Sequence, residues 1–355
     1  MNPHELIFFS IFIVIITGII LLDLGVFDRR DHVVPFREAM FYTLAWIVLS
    51  FGFYGLLLLH GEWIHLGNSG TLQQLEHLID KFDHPINISG LSYAEALKVY
   101  KNNLGLEFLT GYLIEKALSV DNIFVIVMIF YAFGVNSRYY RRVLFWGILA
   151  AIVLRFLFIF TASALIQQFN WVLYFFGGLL IYTSVHMMFS RKSSEQINVA
   201  THPVVKFASK HFRVHQGFLR NHFFLRKEGK LYITPLFIVL MVIEFSDLVF
   251  AVDSIPAIFA ITKDPYIVFF SNIFAILGLR AMFFMVVNVI GKFRFLKAGL
   301  ALLLFFIGCK MLAHSWLKAL GFTTVHSLII IVSILFISIL ASVIVPEKLN
   351  KARDD

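Results

Sequence analysis

Acidic residues inside apolar sequence are the groups of this chain best able to do chemistry. One group lies in an apolar run from about residue 233 to 261 and comprises Glu244, Asp247 and Asp253. A second lies in another apolar run and comprises Glu115, Asp121 and the neighbouring Asn122. A charged side chain costs about 2.5–3.5 kcal/mol at the centre of a bilayer, so such groups are retained where they have a partner or a function. The two stretches therefore predict a polar site inside a membrane.

The predicted site offers mainly oxygen ligands. Carboxylate, amide and hydroxyl oxygens suit Mg²⁺, Ca²⁺ or Mn²⁺, whereas Zn²⁺ or Cu²⁺ would require more His and Cys. We predict as metal ligands Glu115, Asp121, Asn122, Glu244, Asp247 and Asp253. We predict as supporting or gating residues Ser119, Ser246, Ser254, Arg155, Arg280 and Asp23. Because the carboxylates outnumber the nearby cations, those that stay unpaired could also carry protons.

The same carboxylates could instead have a structural or a catalytic role. Arg155 and Arg280 lie well inside apolar runs, and Arg–carboxylate pairs that only hold helices together would need no ion. Two aspartates on neighbouring helices could also form an aspartic-protease-like dyad. Such a dyad needs two aspartates and little else, so the surplus of carboxylates argues against an enzyme.

Spacing predicts an irregularity in the helix of the first acidic group. Residues six apart, such as Asp247 and Asp253, lie about 120° apart round a regular helix and do not share a face. Pro256 has no backbone N–H and frees the carbonyl of Val252, next to Asp253. Interrupted helices with free carbonyls are common at the ion sites of transporters. We therefore predict that this helix is interrupted.

Composition indicates which elements position these residues. Of the 355 residues, 59% are hydrophobic and only 15% are charged, whereas about a quarter of the residues of a soluble domain are charged. We predict an all-α polytopic membrane protein. Its nine transmembrane helices are expected at residues 6–27, 39–60, 108–133, 143–166, 171–190, 233–262, 267–290, 298–315 and 324–346. The single Cys309 excludes a disulfide framework and a multi-thiolate metal site.

Basic residues predict the orientation of the chain. With the N-terminus outside and the C-terminus in the cytoplasm, the cytoplasmic segments hold 21 Lys and Arg and the outer segments hold 5. Phe and Leu residues lie among Lys and Arg in the 191–232 loop, which suits an amphipathic segment in contact with anionic lipid headgroups. These cytoplasmic segments explain the net charge of +8, and we predict no nucleic-acid partner. Residues 1–27 have no basic n-region or cleavage site, so we expect a retained helix.

Two parts of the chain are similar to each other. Residues 247–255 align with residues 115–123, since both have an acidic residue, then Val-Asp, a small polar residue and Ile. Arg155 and Arg280 occupy corresponding places in the apolar runs that follow. Each copy has three helices, which is an odd number. The second copy therefore crosses the membrane in the opposite direction to the first. Inverted repeats are typical of alternating-access transporters that bind substrate near the bilayer midplane.

These patterns divide the chain into six parts. We predict two N-terminal transmembrane helices at 1–60, an extracytoplasmic loop at 61–104, a first three-helix repeat at 105–190, a basic cytoplasmic loop at 191–232, a second three-helix repeat at 233–315, and a last helix with a cytoplasmic tail at 316–355.

Histidines are concentrated in the two long loops. The outer loop has His60, His65, His77 and His84, which could gather a metal ion, although we favour solvated loop histidines. Those of the cytoplasmic loop match no standard zinc spacing. The outer loop also has an amphipathic pattern that predicts a short surface helix, formed by Leu72, Leu75, Leu78 and Ile79.

The acidic motifs resemble those of a known family. The matching segments are Leu22-Asp23-Leu24-Gly25-Val26-Phe27, Glu115-Lys116-Ala117-Leu118-Ser119-Val120-Asp121-Asn122, and Glu244-Phe245-Ser246-Asp247 through Asp253-Ser254-Ile255-Pro256. They resemble the TerC family of integral membrane proteins, named for tellurium resistance. The resemblance implies a manganese exporter of the bacterial inner membrane and gives the six predicted ligands the family's metal-site role. The 61–104 loop departs from the expected pattern.

Together these features predict a transporter. We expect export of a divalent cation, with Mn²⁺ as substrate, by alternating access through an acidic midplane site between the repeats. Exchange with protons is a further hypothesis that rests on the surplus of carboxylates. The alternative is a non-transporting membrane scaffold in a metal- or stress-resistance complex, which would recruit cytoplasmic protein partners through its basic 191–232 loop.

Overall fold

The chain is almost entirely helical where the computed structural model describes it. The described residues are 3–27, 35–67, 70–169, 171–189, 203–215, 222–227, 230–287, 295–313, 316–317 and 320–344. Asp23 and Asp121 lie within helices, but their side chains are outside the described part of the structure. The predicted cytoplasmic tail and much of the 191–232 loop are also outside it.

The described residues form twelve α-helices, two short 3₁₀ helices at Gly61–Trp63 and Ser137–Tyr139, and one two-stranded sheet. The helices are α1 Pro3–Phe27, α2 Phe36–His60, α3 Leu72–Phe82, α4 Tyr93–Ala132, α5 Tyr140–Gln168, α6 Trp171–Phe189, α7 Pro203–His211, α8 Pro235–Phe259, α9 Pro265–Leu277, α10 Leu279–Val287, α11 Leu296–Leu312 and α12 Thr324–Ile344. The antiparallel strands β1 Phe224–Lys227 and β2 Lys230–Ile233 pair with Phe224 opposite Ile233. This small sheet lies in the basic 191–232 loop and was not predicted.

Apolar length decides which helices can cross a bilayer. By length and composition four qualify among the described residues, at Phe36–Trp63, Ser137–Gln168, Pro235–Phe259 and Thr324–Ser342. The bent pair α9–α10 makes a fifth if it is one broken span. Each of the nine predicted stretches coincides with a helix or with this pair. The all-α membrane class is therefore confirmed, whereas nine crossings and the two repeats stay predictions.

The predicted interruption of the helix near Pro256 is wrong. Helix α8 continues through Pro256 to Phe259, so the proline lies in the last turn and only a few residues follow it. A proline in a helix interior costs about 3 kcal/mol, because it removes one backbone hydrogen bond and its ring clashes with the preceding turn. Burial of all residues from Ser254 to Phe259 offsets that cost. The break lies instead at Gly278, where α9 and α10 meet at an angle of 42°.

The 61–104 loop is more ordered than predicted. Its surface helix is α3, whose apolar face is buried, in agreement with the amphipathic pattern. Helix α4 begins at Tyr93 rather than at residue 108, because Ser92 and Glu95 form a capping box that fixes its first turn. The loop therefore ends in a helix that continues without interruption into the predicted transmembrane span.

Helix α4 is central to the fold. It packs against α2, α8 and α9, and α5 packs against α8 and α9. Helices α6 and α11 form a separate close pair. A Cβ atom on Gly308 would lie only 2.9 Å from the carbonyl oxygen of Gly177. Only glycine permits this approach of the two backbones, as at other crossings of membrane helices.

Candidate functional site

Arg155 of α5 is the centre of a buried polar cluster between four helices. Its guanidinium donates to Glu115 of α4 and Asn272 of α9. It also donates to both carboxylate oxygens of Asp247 of α8, at 2.9 Å from Nη2 and 3.3 Å from Nε. Asn122 of α4 donates to the same aspartate at 3.3 Å. One fixed positive charge thus lies between two carboxylates, in the bidentate geometry that guanidinium favours.

This cluster supports in part the view that arginine holds the helices together. Arg155 is 2% exposed and Glu115 is 1% exposed, so neither charge is solvated by water. Breaking such a pair leaves an uncompensated buried charge. The guanidinium offsets one of the two negative charges that it contacts, and the cluster of Arg155 with Asp247 and Glu115 remains one charge negative.

A cavity of about 340 Å³ lies beside the cluster, between α4, α6, α8 and α11. Its polar lining consists of Glu115, Asn122, Thr183, His186, Asp253 and Ser254. Thr183 donates to Asp253 at 3.2 Å. Within the described residues Asp253 has no ion-pair partner. The cavity and the Arg155 cluster share Glu115 and Asn122, so an ion in the cavity would lie next to the arginine.

Several buried oxygens around the cavity have no hydrogen-bond partner among the described residues. They are Oε2 of Glu115, Oδ1 of Asn122 and Oγ of Ser254. Buried polar atoms are nearly always satisfied in native proteins, by water or a ligand where protein partners are missing. These oxygen atoms, together with the carboxylate of Asp253, are therefore available to a hydrated cation.

The other predicted residues whose side chains the structure describes are not among those that line this cavity. Glu244 faces α5, where a Cβ on Gly147 would lie 3.0 Å from its Oε1. Ser246 donates to the carbonyl of Val242 in its own helix. Ser119 is buried with an unpartnered hydroxyl, and Arg280 is buried in α10.

The six predicted ligands do not converge on one point in this conformation. Among the described side chains, no three of His, Cys, Asp and Glu are placed to hold one metal ion. Asp121 cannot be placed, because its side chain is outside the described part. Asp247 contacts Arg155 and Asp253 lines the cavity, as expected for residues about 120° apart on a continuous helix. The ligand set stays a prediction.

Three residues of this region were missed or left unassigned from sequence. Thr183 is one hydroxyl in an apolar helix, and nothing in its neighbours indicates a contact with Asp253. His186 lines the cavity, and the sequence assigned it no role. Lys116 donates to the carbonyl of Ala275 at 3.3 Å and lies at the α9–α10 break, 2.6 Å from where a Cβ on Gly278 would be.

A second buried network lies at the other end of α4 and α9. Nδ1 of His65 is 3.0 Å from Glu5, and Nε2 is 2.9 Å from Asp264. Both ring nitrogens face carboxylates, and ionised carboxylates only accept, so this geometry favours a ring that donates from both nitrogens, an imidazolium. Burial lowers the pKa of His65, but Asp264 and Glu5 together raise it to about 9.

The preference for solvated loop histidines was therefore wrong at two positions. His65 and His84 are buried, whereas His60 and His77 are exposed. The partners of His65 are far away in sequence: Asp264 is 199 positions later. No local pattern marks such a contact.

Apolar helices that bury charged and amide side chains among themselves define a multi-pass integral membrane protein of the all-α class. The chain belongs to the TerC family. The family model described as "Integral membrane protein TerC family" matches residues 100–350.

Curated relatives are similar along most of their length. A membrane protein of Myxococcus xanthus is 40% identical over 333 residues, which are 94% of this chain and 91% of the relative. The protein named "Putative membrane-bound redox modulator Alx" in Escherichia coli O6:H1 is 43% identical over 302 residues, 85% of this chain and 84% of the relative. A membrane protein of Rickettsia felis is 36% identical over 334 residues, 94% of this chain and 96% of the relative. No solved structure matches the chain.

Proposed function

We propose that this protein exports a divalent metal cation, Mn²⁺ in the first place, across the bacterial cytoplasmic membrane. The observation that carries the proposal is the cavity with unpartnered buried oxygens on Glu115, Asn122 and Ser254 beside the carboxylate of Asp253. Such oxygen donors suit Mn²⁺, Ca²⁺ and Mg²⁺. The cavity has a volume of about 340 Å³, and a water molecule takes up about 30 Å³ in the liquid. The cavity therefore has room for the waters that a hydrated ion would keep.

Charge balance supports binding of a cation rather than an anion. Glu115, Glu244, Asp247 and Asp253 bring four carboxylates to the described part of this region, and Arg155 contacts two of them. Neither Glu244 nor Asp253 forms an ion pair among the described residues. Uncompensated carboxylates inside a membrane are expensive unless they bind a cation or a proton.

Helix packing supports the inverted repeats and alternating access. If α4, α5 and α6 correspond to α8, α9–α10 and α11, then the contact of α4 with α9 corresponds to that of α5 with α8. Both contacts are present, and α6 packs directly on its counterpart α11. The acidic residues lie where the two groups of helices meet, which is where inverted-repeat transporters bind substrate.

The orientation and the lipid partner remain part of the proposal. With the N-terminus outside, α7 and the β1–β2 hairpin lie at the cytoplasmic surface. Phe207, Phe212 and Phe224 are exposed there, in a segment that also carries Lys206, Lys210, Arg213 and Arg226. Exposed aromatic and basic side chains suit an anionic headgroup layer.

Cation flux in liposomes tests the proposal. Purified protein should carry Mn²⁺ across the bilayer, and Asp253→Asn should reduce the flux at least tenfold while the variant still folds. Asp80→Asn is the matched control, because Asp80 is an exposed carboxylate on α3. Undiminished flux in Asp253→Asn would remove the cavity from the transport pathway.

The scaffold alternative predicts the opposite effects of these substitutions. If the protein only recruits cytoplasmic partners, replacing Lys206, Lys210, Arg213 and Arg226 would abolish metal resistance in cells, and Asp253→Asn would leave it intact. Purified protein would then carry no Mn²⁺.

A further inference from the structure

A buried polar stripe follows α4 from its outer part towards the cavity. Its members are Asn103, Glu107, Thr110, Glu115, Ser119 and Asn122, all of them buried. Steps of three or four residues keep neighbours close to one face within each half of the stripe, but the step of five from Thr110 to Glu115 places the second half about 120° further round the helix. The stripe rises about 28 Å from first to last residue, close to the thickness of the hydrocarbon core.

The outer end of the stripe is a pair formed by His84 and Glu107. Nδ1 of His84 is 2.8 Å from Oε1 of Glu107, and Asn103 donates to the same oxygen at 2.7 Å. The ring of His84 also packs edge-on against Tyr100, with centroids 5.6 Å apart. All four side chains are buried, and the capping box of α4 and the C-terminus of α3 fix the backbones that carry them.

This pair keeps unused hydrogen-bonding capacity. Within the described residues, Nε2 of His84, Oε2 of Glu107 and the hydroxyl of Tyr100 are buried and have no partner. A network that only held the loop in place would satisfy these atoms. These three unpartnered atoms belong to side chains of one buried cluster, so they can bind an exchangeable proton and ordered water.

Other charged groups also act on the pair. Asp264 and His65 interact electrostatically with His84, and His65 in turn contacts Glu5 of α1. From α11, Lys310 interacts electrostatically with Glu107, which makes binding of a metal cation there less favourable than binding of a proton. At the surface, Asp83 and Lys263 form a 2.9 Å salt bridge one residue from His84.

We propose that His84 and Glu107 form the outer proton-binding pair of this protein, through which protons enter in exchange for the exported cation. The inference rests on the proposed function and specifies its coupling ion. A proton from the outer solution binds to the pair, and its inward movement along α4 accompanies the outward movement of the cation. Only O–H and N–H bonds form and break.

The pKa of His84 and the position of the pair along α4 both support this role. Burial lowers the pKa of His84, but the Glu107 carboxylate raises it, and the net direction is upward. The pair is separated from Glu115 by eight residues of α4, about 12 Å. On the facing helix α9, the hydroxyl of Ser271 would lie 2.8 Å from a Cβ on Gly111, so a polar group also lies about midway.

Two flux measurements on the same proteoliposomes test the inference. The first is tracer exchange of Mn²⁺ at equal pH and equal Mn²⁺ on both sides, which needs no net proton movement. The second is Mn²⁺ accumulation driven by a pH gradient, with proton movement followed by a trapped pH-sensitive dye. Glu107→Gln and His84→Gln should keep tracer exchange within about twofold of the wild type and lose gradient-driven accumulation at least tenfold. Glu76→Gln, an exposed carboxylate on α3, should change neither.

The outcomes separate the inference from the proposed function. Absence of tracer exchange in the wild type would refute both. Tracer exchange without proton movement in the wild type would refute the coupling alone. Equal loss of exchange and accumulation in both variants, with unchanged thermal stability, would make the pair part of the cation pathway and overturn its role as a proton site. Gradient-driven accumulation that persists in both folded variants would overturn it as well.

Discussion

Replacement of Arg155 by Gln is the most direct perturbation of the membrane-embedded cluster. The guanidinium contacts two carboxylates and the amide of Asn272, and it is 2% exposed. Removing one partner of a buried ion pair costs about 3–5 kcal/mol, because the remaining charge has neither water nor a counter-charge. Here two carboxylates, Glu115 and Asp247, lose their common partner. We therefore expect a loss of about 3–5 kcal/mol in the free energy of unfolding, a large part of the 5–15 kcal/mol typical of proteins.

Unfolding in mixed detergent and SDS micelles at neutral pH measures this loss. Arg138→Gln is the control, since Arg138 is exposed at the start of the same helical segment, and it should change the free energy by less than about 0.5 kcal/mol. Combining Arg155→Gln with Glu115→Gln and Asp247→Asn should recover at least half of the lost stability, because the uncompensated charges are then gone.

Two results would refute this reasoning. A loss below about 1 kcal/mol in Arg155→Gln would mean that the carboxylates are already neutral or hydrated without the guanidinium. A triple variant no more stable than the single one would mean that Arg155 contributes by packing of its side chain rather than by its charge.

Two further predictions concern the buried His65 network and the crossing of α6 and α11. Because the pKa of His65 is raised from 6.5 to about 9 in the folded protein, its contribution to stability is complete below about pH 6.5 and is lost as the pH rises through 9. The melting temperature should therefore fall over that range, and fall less in His65→Gln; an equal fall in both proteins would exclude His65 as the cause. Gly308→Ala should cost about 1–3 kcal/mol in the same unfolding assay, since its Cβ would lie 2.9 Å from the Gly177 carbonyl oxygen. Gly178→Ala, whose Cβ would meet nothing within 4 Å, should be neutral or gain up to about 1 kcal/mol, and equal effects of the two substitutions would refute close packing at the crossing.

Helices could be predicted from this sequence because the pattern that specifies them is local. Long apolar runs and the amphipathic Leu72–Ile79 pattern both coincide with helices. The prediction at Pro256 failed because it used a local rule where tertiary packing decides: the proline is buried in the last turn of α8. The actual break lies at Gly278, next to Lys116 of another helix; a single glycine is only a weak local signal for a break, and this long-range neighbour is not visible in the sequence.

Acidic motifs indicated the region of the site but not its arrangement. The cluster of Glu115, Asn122, Asp247 and Arg155 joins residues predicted together, since charges in apolar sequence need partners. The division into an arginine cluster and a separate cavity depends on how four helices are rotated about their axes. Thr183 and the buried His65 and His84 also depend on long-range contacts, which no spacing rule describes.

The glycine crossing of α6 and α11 has a consequence for how the cavity can change shape. These helices form one wall of the cavity, and they touch through backbone atoms at Gly177 and Gly308. Side chains at such a contact cannot rotate to let one helix slide past the other. If the protein transports a metal ion as proposed, these two helices would move together as one rigid unit relative to α4 and α8 when the ion is released.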